Sequence, residues 1–109
     1  MTIERIDDGG IGQLEAEAAH VAGVLKLLAN ESRLLILCRL AVDGELPVGK
    51  LGKTIGLSQS ALSQHLAKLR ADGLVDFRRQ SQTLFYRLAD AQAARLLSAL
   101  KDIYCPNIT

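Results

Sequence analysis

Residues Pro47 to Leu74 read PVGKLGKTIGLSQSALSQHLAKLRADGL, and two helical patterns meet in them. In the second, Ser58 to Arg70, Leu62, Leu66 and Leu69 fall at i, i+4 and i+7, the spacing of one buried helix face. The opposite side carries Gln59, Ser60, Ser63, Gln64, His65 and Lys68, with no carboxylate among them. A plain solvated face would mix Glu with Lys in i,i+4 pairs. Ser, Gln and Lys without acids suit a surface that approaches phosphates and base edges. Upstream, Val48, Leu51 and Ile55 repeat at roughly helical spacing, Gly56 has the character of a helix C-cap, and Ser58 that of an N-cap. Two short helices joined by a Gly-containing turn predict a helix-turn-helix with Ser58–Arg70 as its recognition helix.

At 109 residues the chain makes one domain with a modest core. Apolar residues reach 49% but aromatic ones only 4%, so the core must come from Leu, Ala, Val and Ile, which favours helix packing. No apolar run approaches a membrane span and MTIERIDDGG lacks the design of a signal segment, so a cytoplasmic location is expected. The net charge of +1 conceals an uneven distribution. Residues 47–88 hold seven Lys/Arg against Asp72 and Asp76, a net +5, while the remainder carries six against ten Asp/Glu, a net −4. A basic centre between acidic ends favours a polyanion on one face.

Residues 1–10, with Asp7-Asp8-Gly9-Gly10, are expected to form a flexible tail, and 11–109 the single folded domain. A helix is predicted from about Ile11 to Ala29, with Leu14, Ala18, Val21, Ala22, Leu25 and Leu28 as its stripe and Gly23 as a point of close approach for another helix. That stripe exceeds what a small core needs, which predicts a face for a second subunit. Asn30 caps the next helix, whose Leu34, Leu35, Ile36, Leu37 and Leu40 are apolar nearly all round and place it centrally. Asp43-Gly44 ends it, and Glu45-Leu46-Pro47 is expected to start the following helix. After Gly73 the period changes to two: Val75 and Phe77, then Leu84, Tyr86 and Leu88, flank the link Gln80-Ser81-Gln82. This predicts a two-stranded hairpin with Arg78 and Arg79 near its tip, as in a winged helix. Asp90 caps a last helix to about Tyr104, closed by Cys105-Pro106, with Leu96, Leu97, Leu100 and Ile103 apolar. About five helices and one wing are expected, with the first and last helices joining two subunits and setting two recognition helices on successive turns of a duplex.

Paired carboxylates, a Gly-rich phosphate loop and a nucleotide motif are all missing from the sequence, and Ser63 and His65, two apart on a helix, point away from each other. An enzyme is not indicated. His20 and His65 are too isolated to suggest a metal site, and no cofactor is implied. Cys38, in an apolar helix, fits a small buried hydrophobe. Cys105 lies at a helix C-terminus, whose partial negative charge disfavours thiolate, with Lys101 one turn earlier to offset it.

Leu25-Lys26-Leu27-Leu28-Ala29-Asn30-Glu31-Ser32-Arg33-Leu34, then Leu57-Ser58-Gln59-Ser60-Ala61-Leu62-Ser63-Gln64-His65-Leu66 and the Arg78-Arg79 hairpin, resemble the ArsR-type (arsenical-resistance repressor) winged-helix family over roughly Leu14 to Ile103. The resemblance implies a homodimeric repressor on double-stranded operator DNA with an inverted repeat, released by an inducer. The family's arsenic and cadmium sensors carry a Cys-x-Cys-type motif where this chain has Leu46-Pro47-Val48-Gly49, and its zinc and nickel sensors place Asp and His on the last helix, where this chain has Asp90 and Asp102 but no His. Cys38 and Cys105 instead look like the pair of the dithiol branch typified by the biofilm-growth-associated repressor. By that likeness the inducer is a reactive sulfur species (persulfide or polysulfide) or an oxidant that links the two thiols, and genes of sulfide oxidation are the targets. The DNA-facing set expected is Gln59, Ser60, Ser63, Gln64 and His65 at base edges, with Ser58, Lys68, Arg78 and Arg79 at phosphates or the minor groove. A metal-sensing repressor of the same family and a non-catalytic winged-helix interaction module are the alternatives.

Overall fold

The computed structural model describes residues 3–105. Parts of two expectations, the flexible tail at residues 1–2 and the closing step at Pro106, lie outside that range. The elements run α1 (Ile11–Ala16), α2 (Ala18–Leu28), α3 (Glu31–Asp43), β1 (Glu45–Pro47), α4 (Val48–Ile55), α5 (Gln59–Ala71), β2 (Val75–Gln80), β3 (Thr83–Leu88) and α6 (Ala91–Tyr104). The fold is mainly helical with a β-hairpin wing, a winged helix-turn-helix.

Helix α3 is the hub. It touches α2, α4, α5, α6, β1 and β3, and its Ile36, Leu37 and Leu40 are at most 1% exposed. Asn30 caps it by accepting from the Arg33 amide at 3.0 Å, satisfying one of the free first-turn donors. The Arg33 side chain turns back and donates from Nε to the Leu27 carbonyl at 2.8 Å, which anchors the last turn of α2 to the start of α3. Leu51, Leu62, Leu66, Leu69, Leu74 and Leu97 close the core around α3, all buried.

Three expectations need correction. The first helix is divided: Glu17 (φ −100°, ψ 9°) separates α1 from α2, although bonds from the Glu17 amide to Gln13 and from Val21 to Glu17 keep the path nearly continuous. With no buried residue in α1, nothing in the protomer holds that turn to ideal geometry. The described residues therefore form six helices, not five. The segment Glu45-Leu46-Pro47 is a strand and not the start of a helix. Proline biases the residue before it to extended backbone, Pro47 itself is extended (φ −65°, ψ 143°), and Leu46 is buried in the core. Finally, β1 pairs antiparallel with β3, so the wing's base is a three-stranded sheet of order β1-β3-β2.

Candidate nucleic-acid interface and thiol groove

Helix α5 follows the sequence pattern. Leu62, Leu66 and Leu69 are buried, while Gln59, Ser60, Ser63, Gln64 and Lys68 are exposed on one continuous surface. His65 is half-buried at its margin. Ser58 is the N-cap: its hydroxyl oxygen accepts from the Ala61 amide at 3.2 Å, which leaves its O–H free to donate outward. Gly56, in the left-handed region at φ 81°, turns the chain from α4 into this cap. Close approach of α4 to α5 depends on Gly52, where a Cβ would stand 3.2 Å from Leu62 Cδ2. At the other end of α5 the Arg70 guanidinium lies 4.1 Å from the centroid of Phe77 in β2, tying the recognition helix to the wing.

The two wing arginines have different fates. In β2 they alternate across the sheet, opposite Phe85 and Leu84 of β3. Arg79 is exposed, and its side chain makes no hydrogen bond or ion pair among the described residues. Arg78 donates from Nε and a terminal nitrogen to the Glu45 carboxylate at 2.8 to 3.1 Å and from the other nitrogen to Gln80 Oε1 at 2.8 Å, and it stacks over Phe85 at 4.5 Å. The hydrogen bond from Arg78, with its charge and that of Arg87, holds the Glu45 carboxyl below the usual carboxylate range. Glu45 is the residue that sequence reasoning missed. Its signal was the Leu46-Pro47 pair, which marks an extended segment able to join the sheet.

The two thiols border a common groove. Cys38 is half-buried in α3, and Cys105 is exposed directly after α6, its amide donating to the Lys101 carbonyl at 2.7 Å. Both are free and line one largely apolar groove of about 950 Å³, walled by Leu34, Val42, Leu88, Leu97, Leu100 and Tyr104. Burial pushes the Cys38 thiol up, and the nearby Cys105 pushes it the same way. Cys38 also borders a smaller groove of about 200 Å³ against Thr54 and Ile55 of α4. Among the described residues no three His, Cys, Asp or Glu side chains cluster to hold a metal ion.

Residues 30–76, from the α3 cap through α5 into β2, match the model of the bacterial regulatory proteins of the arsR family. The transcriptional activator HlyU of Vibrio cholerae is 48% identical over 93 residues, 85% of each chain. This chain belongs to the arsR family. The solved structure of reduced HlyU from Vibrio cholerae superimposes with a TM-score of 0.79 over 85% of this chain and 97% of that one, at 48% identity. The transcriptional repressor BigR of Xylella fastidiosa superimposes with a TM-score of 0.81 over 86% and 95%, at 45% identity. This arsR-family chain is accordingly a DNA-binding transcriptional regulator, not an enzyme. No described helix is long and apolar enough to cross a membrane.

Proposed function

We propose that this regulator is a homodimeric repressor that leaves an inverted-repeat operator when Cys38 and Cys105 become linked by a reactive sulfur species or an oxidant. The observation that carries this is the opening of both thiols into one groove between α3 and α6. Dimerisation is supported by apolar surface the protomer leaves uncovered: Leu14, Leu25, Ile103 and Tyr104 are 48–78% exposed on the first two helices and the last. In the complex, Gln59, Ser60, Ser63, Gln64 and the edge of His65 meet base edges, while Ser58, Lys68 and Arg79 meet phosphates.

The chemistry balances with a persulfide as co-reactant. The Cys105 thiolate attacks the terminal sulfur of RSSH and displaces RSH, leaving a Cys105 persulfide. Cys38 then attacks the Cys105 sulfur and expels hydrosulfide, giving the disulfide. Two protein thiols are oxidised while the persulfide is reduced to thiol and sulfide. When a second RSSH first converts Cys38 to its own persulfide and leaves as RSH, the outer sulfur of that persulfide attacks the Cys105 sulfur and expels hydrosulfide, giving a trisulfide that spans a longer gap with less strain. Either bridge ties the end of α6 to α3, and α3 seats both α4 and α5. Two half-sites must fit one duplex, so a small tilt in each subunit is enough to release it.

Cys38→Ser and Cys105→Ser should each bind operator as the parent does and stay bound after persulfide treatment in a gel-shift assay. Release of the Cys105→Ser protein at parental persulfide concentrations would remove the dithiol mechanism.

A further inference from the structure

The outer face of the wing's sheet is a charge-balanced layer. The register aligns Asp76, Arg87 and Glu45 across β2, β3 and β1, with Arg78 opposite Phe85 one pair further out. Arg87 stands between the two acids, 3.6 Å from Asp76 and 3.5 Å from Glu45. Glu45 nevertheless makes its shorter contact diagonally, to Arg78 at 2.8 Å. Three of the five N–H donors of Arg78 are thereby used inside the protomer, two on Glu45 and one on Gln80, and its planar face lies on Phe85. Arg79, on the other face of β2, has none of these partners.

We infer that Glu45 is a positioning residue for DNA binding: it holds Arg78 against the sheet as part of the wing's frame, so that Arg79 alone serves as the wing's phosphate-seeking cation. The inference rests on the DNA-binding reading above and goes beyond it by dividing the wing pair. A guanidinium bound on two edges to a carboxylate and an amide, and stacked on an aromatic face, cannot turn to a phosphate without giving up those contacts. The effect is on specificity. Phosphate contacts add affinity for every sequence, so one cation fewer per wing lowers non-specific binding more than it lowers discrimination among operators.

The test measures affinity for operator and for random duplex across a salt series, using the full chain with its thiols reduced. Arg79→Ala should flatten the salt dependence by about 0.9 log units for each phosphate no longer neutralised. Arg78→Ala should leave the slope at the parental value. Glu45→Gln keeps the size but removes the charge and turns one of the two acceptor oxygens that Arg78 uses into an NH2 donor. It should tighten random-duplex binding and steepen the slope by about 0.9 per arginine released, and the double variant Glu45→Gln/Arg78→Ala should cancel both changes. A flatter slope for Arg78→Ala equal to that of Arg79→Ala would overturn the inference, since Arg78 would then reach DNA with Glu45 in place. So would a parental slope for Glu45→Gln with a parental circular-dichroism melt. If Glu45→Gln instead melts at a lower temperature, the comparison of Arg78→Ala with Arg79→Ala decides without it: flattening by Arg79→Ala alone upholds the inference, and flattening by Arg78→Ala as large as or larger than that by Arg79→Ala overturns it. Absence of any salt-dependent duplex binding by the parent would instead defeat the DNA-binding reading.

Discussion

Replacing Gly52 by Val should separate the contribution of α4 as a helix from its contribution as a seat for α5. Gly52 is buried, and a Cβ there would sit 3.2 Å from Leu62 Cδ2 and 3.6 Å from the Leu57 carbonyl oxygen. Gly49 lies in the same helix, exposed, with nothing within 4 Å of an added Cβ. Gly49→Ala should therefore stabilise by about 0.5–1 kcal/mol through helix propensity alone. Gly52→Ala gains a similar amount but makes Leu62 yield a few tenths of an ångström, and the two effects should nearly cancel. Val adds two methyl groups beyond Cβ and gains only a few tenths of a kcal/mol of propensity over Gly. Leu62 is 2% exposed and cannot swing aside, so overpacking of about 1–3 kcal/mol should dominate. With an m-value of about 2 kcal/mol/M, the urea midpoint should fall by about 0.5–1.5 M. Protein concentration must be fixed across variants because association contributes to apparent stability. The order expected is Gly49→Ala above parent and Gly52→Ala, with Gly52→Val lowest. A Gly52→Val midpoint at or above that of Gly49→Ala would show that the close approach of α4 and α5 is not what Gly52 provides.

Gln64→Ala should cost roughly 1–3 kcal/mol on the cognate operator and relax preference at one base pair; equal losses on all sequences in a binding-site selection would contradict a base-reading role. Alkylation followed by mass spectrometry at pH 7–8 should label exposed Cys105 before Cys38, whose labelling should accelerate as the pH rises toward and beyond the ordinary thiol range. A Cys38 that reacts first at neutral pH would contradict the burial that pushes its thiol up. Asp90 accepts from the Gln92 and Ala93 amides at 2.9 and 3.1 Å, so Asp90→Ala should lower stability by about 1–2 kcal/mol, read by thermal unfolding; an unchanged melting temperature would mean that α6 does not need its cap.

Elements with strong local chemistry were legible in the chain. Asn30, Ser58 and Asp90 read as caps and do cap α3, α5 and α6, and the spacing of Leu62, Leu66 and Leu69 marked the buried face of α5. What escaped was β1, whose three residues owe their conformation to pairing with β3, a contact made across roughly forty residues of chain that no local period reveals. Missing β1 meant missing Glu45, which stands two residues before the segment whose net charge is +5. The wing looked more basic in sequence than it is in space, because the sheet brings a carboxylate onto Arg78. The division of the first helix at Glu17 escaped for the opposite reason. Its apolar stripe is regular, but α1 buries nothing in the protomer, so the pattern had no packing to report on.

The wing also bears on how such a regulator can change over evolutionary time. Strand β1 pairs with β3 only as far as Phe85, so the end of the hairpin, from Arg79 round to Leu84, is held by a single pairing of strands. Its loop is the two residues Ser81 and Gln82, with Ser81 at φ 57° in the region that favours Gly or Asn. Residues inserted there leave every side chain from Val75 to Gln80 and from Thr83 to Leu88 on its present face and leave the β1 pairing untouched. Each added pair lengthens the projection by about 3.4 Å, close to the axial rise from one phosphate to the next on a strand of the duplex. Wing length is thus a variable that insertion and deletion can adjust without cost to the core. Descendants of one ancestral chain could settle on operators of different flank length while their recognition helices remained unchanged.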